Sequence, residues 1–364
     1  MPIHNLGYRP WKEKLTRPSS RWRNISASGV RLAQKSLWVK RAVFAAWLPV
    51  LYWGLGFFVI GQAMEGKLQL NDGGNRPVVQ KAFDAVEKQL KKVNPMLVPT
   101  ANRLAVASIL RRQFRKVPKV EQLASALESG DEMLARNRIW CWLLMTFLRY
   151  PQGILILFLI GTIAPALIAR DIRSKAFLLY FSRPIGKLDY LLGKFFIPAT
   201  FIMLVTTLPA MALYMFGILM SPDLSVFWST WDVPVRILIG SAFLILPTVS
   251  LALMFSSLTQ ETRFASFGWF AFFTLGHGAW WAIVFSTAIK KGMVNSQDLP
   301  MVMEEPEVKR WGLLSLYNNI GEAQSWVFGF SSWQEVMPSM IVLLAITVVS
   351  LSITYRQISS PLRV

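Results

Sequence analysis

The 364-residue chain is 53% hydrophobic and only 16% charged, against about a quarter charged in soluble proteins, which excludes an ordinary soluble domain. Its net charge of +19 comes with no basic face interleaved with stacking aromatics outside apolar segments, so anionic lipid head groups explain it better than nucleic acid. A single cysteine, Cys141, excludes an internal disulfide, and His4 and His277 lie too far apart in sequence to suggest a metal site.

Residues 1–41 carry ten Lys or Arg and one acid, Glu13. Residues 1–20 read equally as a basic tail or as part of an interfacial arm. Trp22 to Trp38 reads as an interfacial helix, apolar side in the head groups. The arm is too long and too basic for a cleaved signal peptide. Ala42–Met64 is the first charge-free window, and about 20 apolar residues cross a hydrocarbon core. Residues 65–138 form the longest polar insert. Asn71-Asp72-Gly73-Gly74 is a turn, and Val79–Val93, Thr100–Val117 and Val120–Glu128 show helical spacing.

Ile139–Leu148 is apolar but too short to span. It reads as an interfacial or re-entrant lead-in to the second window, Tyr150–Ala169. Next comes a loop, 170–194, with six bases and two acids. Asp171 and Lys175 stand four apart, in the favourable order on a helix. Asp171–Phe181 reads as a helix continuing the second span. Pro184 and Gly186 form the bend, and a second helix starts near Lys187. The remaining windows are Phe195–Pro222, with bends expected at Pro198 and Pro209, then Ile237–Gln260, Phe264–Ile289 and Val336–Tyr355. Residues 290–335 form a second exposed insert, in which Leu313–Phe330 reads as an amphipathic helix lying at the interface.

These windows predict an all-α polytopic membrane protein. Its parts are a basic cytoplasmic or interfacial arm (1–41) that holds the interfacial N-terminal helix, the first of six transmembrane helices (42–64), a helical extracytoplasmic insert (65–138), and the second to sixth transmembrane helices within 139–364, with the elbow 170–194 and the outer amphipathic segment 290–335. Six spans put both termini on one side. The N-terminal arm, the 170–194 loop, the Glu261-Thr262-Arg263 turn and the C-terminal tail carry 10, 6, 1 and 2 bases, and the Ser221–Pro234 loop carries none. The positive-inside rule then places both termini in the cytoplasm.

The 170–194 loop resembles the coupling elbow of the permease subunit of ABC-2-type ABC transporters. The resemblance rests on Asp171 with Arg173, Leu178-Leu179, the bend Ser182-Arg183-Pro184, and Tyr190-Leu191-Leu192-Gly193-Lys194 entering a helix. The chain departs from the usual form at Asp171, where Glu is common, and at Ser174-Lys175, where a Gly-Thr-like pair is common. Leu316-Tyr317-Asn318-Asn319 before the last span and the Ile-Ser-Ser-Pro-Leu-Arg ending extend the likeness. It implies an exporter subunit of a bacterial cytoplasmic membrane, with two permease copies (homodimer or related heterodimer) and two separate ATPase subunits. It also implies that the elbow docks on the ATPase through Asp171, Arg173, Phe177, Tyr180, Phe181, Arg183, Pro184, Lys187, Tyr190 and Lys194, helped by Glu261 and Arg263 on the neighbouring turn. Of these, Phe177, Tyr180, Phe181, Arg183 and Tyr190 are expected to face the partner.

No cofactor is expected. Gly186-Lys187 and Gly193-Lys194 lack the spacing of a phosphate loop, so ATP hydrolysis belongs to a partner. His277 stands out as an ionisable group inside a charge-free window, between Gly276 and Gly278. Such groups are transport candidates, but a neutral histidine bonded across helices accounts for it more simply. A membrane scaffold or anchor is the alternative function. A membrane-embedded enzyme is the weaker class, since no Ser/His/Asp set and no carboxylate pair sits in a span.

Overall fold

The structure is a computed structural model that describes residues 21–64, 118–129, 131–176, 185–221, 226–293, 295 and 298–359, with isolated positions 88, 104, 107, 108 and 111 in the insert. The described residues form helices and no strand: α1 (Arg21–Ala33), α2 (Leu37–Met64), α3 (Pro118–Glu128), α4 (Glu132–Ile163), α5 (Pro165–Arg173), α6 (Lys187–Val205), α7 (Thr207–Leu219), α8 (Val226–Ser229), α9 (Asp232–Ser257), α10 (Thr262–Lys290), α11 (Leu299–Met303), α12 (Pro306–Gly312), α13 (Leu316–Val327) and α14 (Trp333–Ser359). Six of these stretches are long and apolar enough to cross a membrane: Leu37–Val59, Glu132–Arg173, Lys187–Leu219, Asp232–Ser257, Thr262–Lys290 and Trp333–Ile358. The chain is an all-α, multi-pass architecture, as expected.

The second span is far longer than its charge-free window. Asp131 caps α4 by accepting from the backbone N–H groups of Met133 and Leu134. The helix then runs unbroken through Pro151 to Ile163. Ile139–Leu148 is therefore part of the span, not a lead-in. The reading by charge fails because both arginines sit against other helices of the protein and do not mark a membrane surface. Arg138 donates to the Gly329 carbonyl (2.6 Å), and Arg149 lies among the helices.

The third span is broken at Thr206, between α6 and α7. Pro209 explains the break: it has no N–H for the Val205 carbonyl, and its ring crowds that turn. At the other predicted bend, Pro198 sits within α6. The Trp22–Trp38 expectation is also revised. α1 ends at Ala33, and Trp38 lies in the first turn of α2. α1 packs across α6, where Trp22 meets Phe196 (ring centroids 4.7 Å apart) and Ser26 donates to the Gly193 carbonyl. The crossing is close: a Cβ on Gly29 would stand 2.1 Å from Ile197 Cδ1, and one on Gly193 would stand 2.7 Å from Ile25.

In the fourth span 61% of the apolar window is buried, against 11% in the first. The fourth span is thus the packing axis, and the first presents most of its surface outward. The largest correction concerns α13. Instead of lying at an interface, it is inserted among the spans. Leu316, Ile320 and Ala323 share a core with Ile156, Tyr190, Leu244, Val249 and Trp269. Both of its ends are supplied with partners. Ser315 caps the first turn by accepting from the Asn318 N–H. At the other end Arg236 donates to the Val327 carbonyl (2.7 Å), next to the Arg138–Gly329 bond. Cationic donors suit a helix C-terminus, where carbonyls lack helical partners. α3 matches the predicted Val120–Glu128 helix, and Arg111 of the insert pairs with its Glu121 and Glu128. The other predicted insert helices fall mostly outside the described residues.

Candidate functional site

Two polar sites lie in the helical bundle, one at the elbow end of the spans and one around α13. At the elbow end, α5 continues the second span and α6 begins the third. Asp171 on α5 accepts from the Tyr190 hydroxyl (2.6 Å) and pairs with Lys194 Nζ (2.7 Å). The lysine also lies over the Tyr190 ring, 5.4 Å from its centroid. Tyr190 is fully buried and Lys194 is 7% exposed. Tyr190 and Lys194 stand four apart on α6, so one helix face brings both to a single carboxylate.

This geometry changes two expectations. The Asp171–Lys175 helical pair does not form: α5 ends at Arg173, and Lys175 adopts a positive φ of 53°. Asp171 pairs across to the next span instead, because a partner with both a hydroxyl and an ammonium in reach satisfies more of its lone pairs. Tyr190, expected to face a partner, is packed inside. Phe177, Tyr180, Phe181, Arg183 and Pro184 lie outside the described residues. Lys187 opens α6, where Asp189 accepts from the Gly186 N–H (3.3 Å).

The neighbouring turn lies against the same end. Arg173 reaches Glu261 at 3.5 Å, with both side chains well exposed, and Arg263 is exposed beside them. Ser256 on α9 ties the fourth span to α5. Its hydroxyl donates to the Pro165 carbonyl (2.8 Å) and accepts from the N–H groups of Ile168 and Ala169 (3.0 and 3.1 Å). A hydroxyl thus stands in the helical ladder where the second span turns into α5.

The second site surrounds α13. His277 faces Ser315, with Nδ1 3.1 Å from Oγ. Its Nε2 accepts from Trp281 Nε1 (3.0 Å). The ring is therefore the Nδ1–H tautomer, donating to the serine that caps α13. Gly276 permits this approach, since a Cβ there would stand 2.5 Å from the Leu314 carbonyl oxygen.

One residue of this site was missed by reasoning on charge-free windows: Arg149. Trp53 donates to Thr146 and Gln152 donates to the Ala46 carbonyl. That pairing sets Arg149 opposite the middle of the first span, Leu37–Val59. His277 is thus not the only ionisable group within the spans. The guanidinium packs on Gly321, where a Cβ would stand 2.6 Å from Cζ. It lies 5.9 Å from the centroid of the Tyr317 ring, whose hydroxyl donates to the Arg149 carbonyl. Arg149 Nε is buried without a hydrogen-bond partner, as are both polar atoms of the Asn318 amide. The signal was present in the sequence: one arginine between two apolar stretches that are each short or minimal for a span.

A family model described as ABC-2 family transporter protein matches residues 32–359 of the chain. No curated protein matches it.

Proposed function

Because the chain belongs to the ABC-2 transporter family, we propose that it is the membrane permease subunit of an exporter, driven by ATP that a separate ATPase subunit hydrolyses. Membership of the family supports a transport subunit, and in this reading the ATP hydrolysis belongs to the partner. The reading places two copies with two ATPase subunits in a bacterial cytoplasmic membrane, both termini cytoplasmic. Support for the orientation comes from charge. α1, the elbow helices and the Glu261 turn gather at one end of the bundle, and Ile358 near the C-terminus shares a core with Ile168 and Tyr190 there. These are the base-rich segments.

The observation that carries the mechanism is the Asp171–Tyr190–Lys194 cluster. A partner can pull on a permease only through a stiff element, because a loose loop absorbs the displacement. Asp171 locks the end of the second span to the start of the third, and Ser256 locks the second to the fourth. A push on residues 177–184 is then delivered to three spans together. In this reading Phe177, Tyr180, Phe181 and Arg183 supply the docking contacts, Pro184 and Lys187 shape the bend, and Arg173 with Glu261 and Arg263 widens the footprint. Tyr190 and Lys194 act from inside as braces.

Co-purification of a Walker-motif ATPase tests this. Aromatic and arginine anchors at an interface are worth about 2 kcal/mol or more each, roughly thirtyfold in affinity. Phe181→Ala with Arg183→Ala is expected to preserve membrane insertion and release the ATPase. Retention of the ATPase at the wild-type level by the double variant would overturn the docking assignment.

A further inference from the structure

Arg149 and Asn318 open onto a cavity of about 960 Å³, lined by α2, α4, the start of α14 and the α11–α13 segment. Its volume is at the upper end for small-molecule sites. The wall on α2 and α4 is apolar and aromatic, with Tyr52, Trp53, Leu55 and Leu143. The cavity also holds three acids, Glu304, Glu322 and Glu335, all of which act on Lys309. Lys309 pairs with Glu304 at 2.5 Å. Burial acts to lower the Lys309 pKa, and Glu304, Glu322 and Glu335 outweigh it and raise it. Arg149 is different: none of the ion pairs formed among the described residues includes it.

A cation at membrane depth costs several kcal/mol unless something neutralises it. Asn318 is 7% exposed, and its amide has neither donor nor acceptor satisfied. A buried amide left so is also costly. One occupant answers both and fits the walls. We infer that this cavity binds an amphiphile with an anionic head group, the head on the Arg149 guanidinium and the Asn318 amide, the acyl chain along Tyr52, Trp53 and Leu55. Guanidinium favours carboxylate and phosphate oxygens, which it can grip with two N–H groups. A water-soluble anion leaves the apolar wall unused. Tyr52 and Leu55 are 72% and 58% exposed on the outward face of the first span, so a chain can enter sideways from the bilayer. The site belongs to one chain and does not depend on the ATPase reading.

The test is lipid retention by the full chain, measured by native mass spectrometry after equilibration with mixed phosphatidylglycerol and phosphatidylcholine. Wild type is expected to hold phosphatidylglycerol in preference. Arg149→Gln is expected to lose it at least tenfold, with phosphatidylcholine retention unchanged. Asn318→Leu fills the amide's place and is expected to lose it as well, which keeps the test open if the arginine variant does not fold. Cooperative melting of each variant checks the fold. Equal retention of the two lipids by wild type, or wild-type phosphatidylglycerol retention in either folded variant, overturns the proposal. ATPase co-purification from the same samples reads the coupling assignment separately.

Discussion

Lys194 and Arg149 are both cations set among apolar helices, and the protein treats them in opposite ways. Lys194 has a carboxylate at 2.7 Å and an aromatic ring beneath it. Arg149 has a glycine to lie on, an aromatic ring at one side and a Nε with no partner. A matched buried charge fixes two elements to each other, and removing one member leaves the other exposed to full desolvation cost. Arg149 is half-buried, with Nε enclosed and unpartnered, and a cation held at membrane depth without a matching charge points to something that arrives from outside.

The sharpest way to break this comparison is at Asp171. Asp171→Ala removes the carboxylate that Lys194 and Tyr190 share and is expected to cost about 3–5 kcal/mol, seen as a large fall in melting temperature in detergent. Asp171→Leu combined with Lys194→Met removes both charges and is expected to recover most of the loss. A double variant as unstable as the single one would show that the pair contributes packing, not charge matching.

A smaller effect is expected where α13 enters the bundle. Gly276→Ala sets a methyl against the Leu314 carbonyl, which is backbone and cannot rotate away, so overpacking costs about 1–3 kcal/mol. A methyl on Gly278 would meet nothing within 4 Å, and Gly278→Ala is expected to be neutral or to gain up to about 1 kcal/mol through helix propensity. Thermal melting of the two variants distinguishes them. Equal losses would mean that the close approach at Gly276 does not hold α13 in place.

Arg149→Met completes the comparison with the opposite sign. It is expected to change stability by about 1 kcal/mol or less, in the stabilising direction if at all, because no partner is stranded. A loss as large as that of Asp171→Ala would make Arg149 a structural residue. The least effect belongs to Arg173→Ala. Its bond to Glu261 is long and exposed, and such pairs contribute about 0–1 kcal/mol. Any loss beyond that in the isolated chain would show that the contact is tighter than its exposure implies.

The number of spans and the all-α class were legible because they depend on composition over about 20 residues, which tertiary contacts barely alter. Two of the errors share one cause. Charges were read as marks of the membrane surface, so Arg138 and Arg149 divided a helix that runs through both. Polar residues in Leu313–Phe330 were likewise read as an interfacial face, although Asn318, Asn319 and Gln324 are buried between spans. Local spacing also favoured Asp171 with Lys175. The partners that won, Tyr190 and Lys194, lie on the next span, and only the packing of α5 against α6 shows that they converge. Thr206 marks the same limit on a smaller scale: Pro209 was recognised as a bend, but the break falls at the turn whose carbonyl the proline leaves unbonded.

The two sites can be separated in one preparation, by assaying bound ATPase and bound phosphatidylglycerol together on the purified full chain. The expected result is a clean exchange: Phe181→Ala/Arg183→Ala loses the ATPase and keeps the lipid, and Arg149→Gln keeps the ATPase and loses the lipid. If either folded variant loses both, or neither variant loses anything, the division between a matched coupling end and an unmatched ligand-receiving site is contradicted.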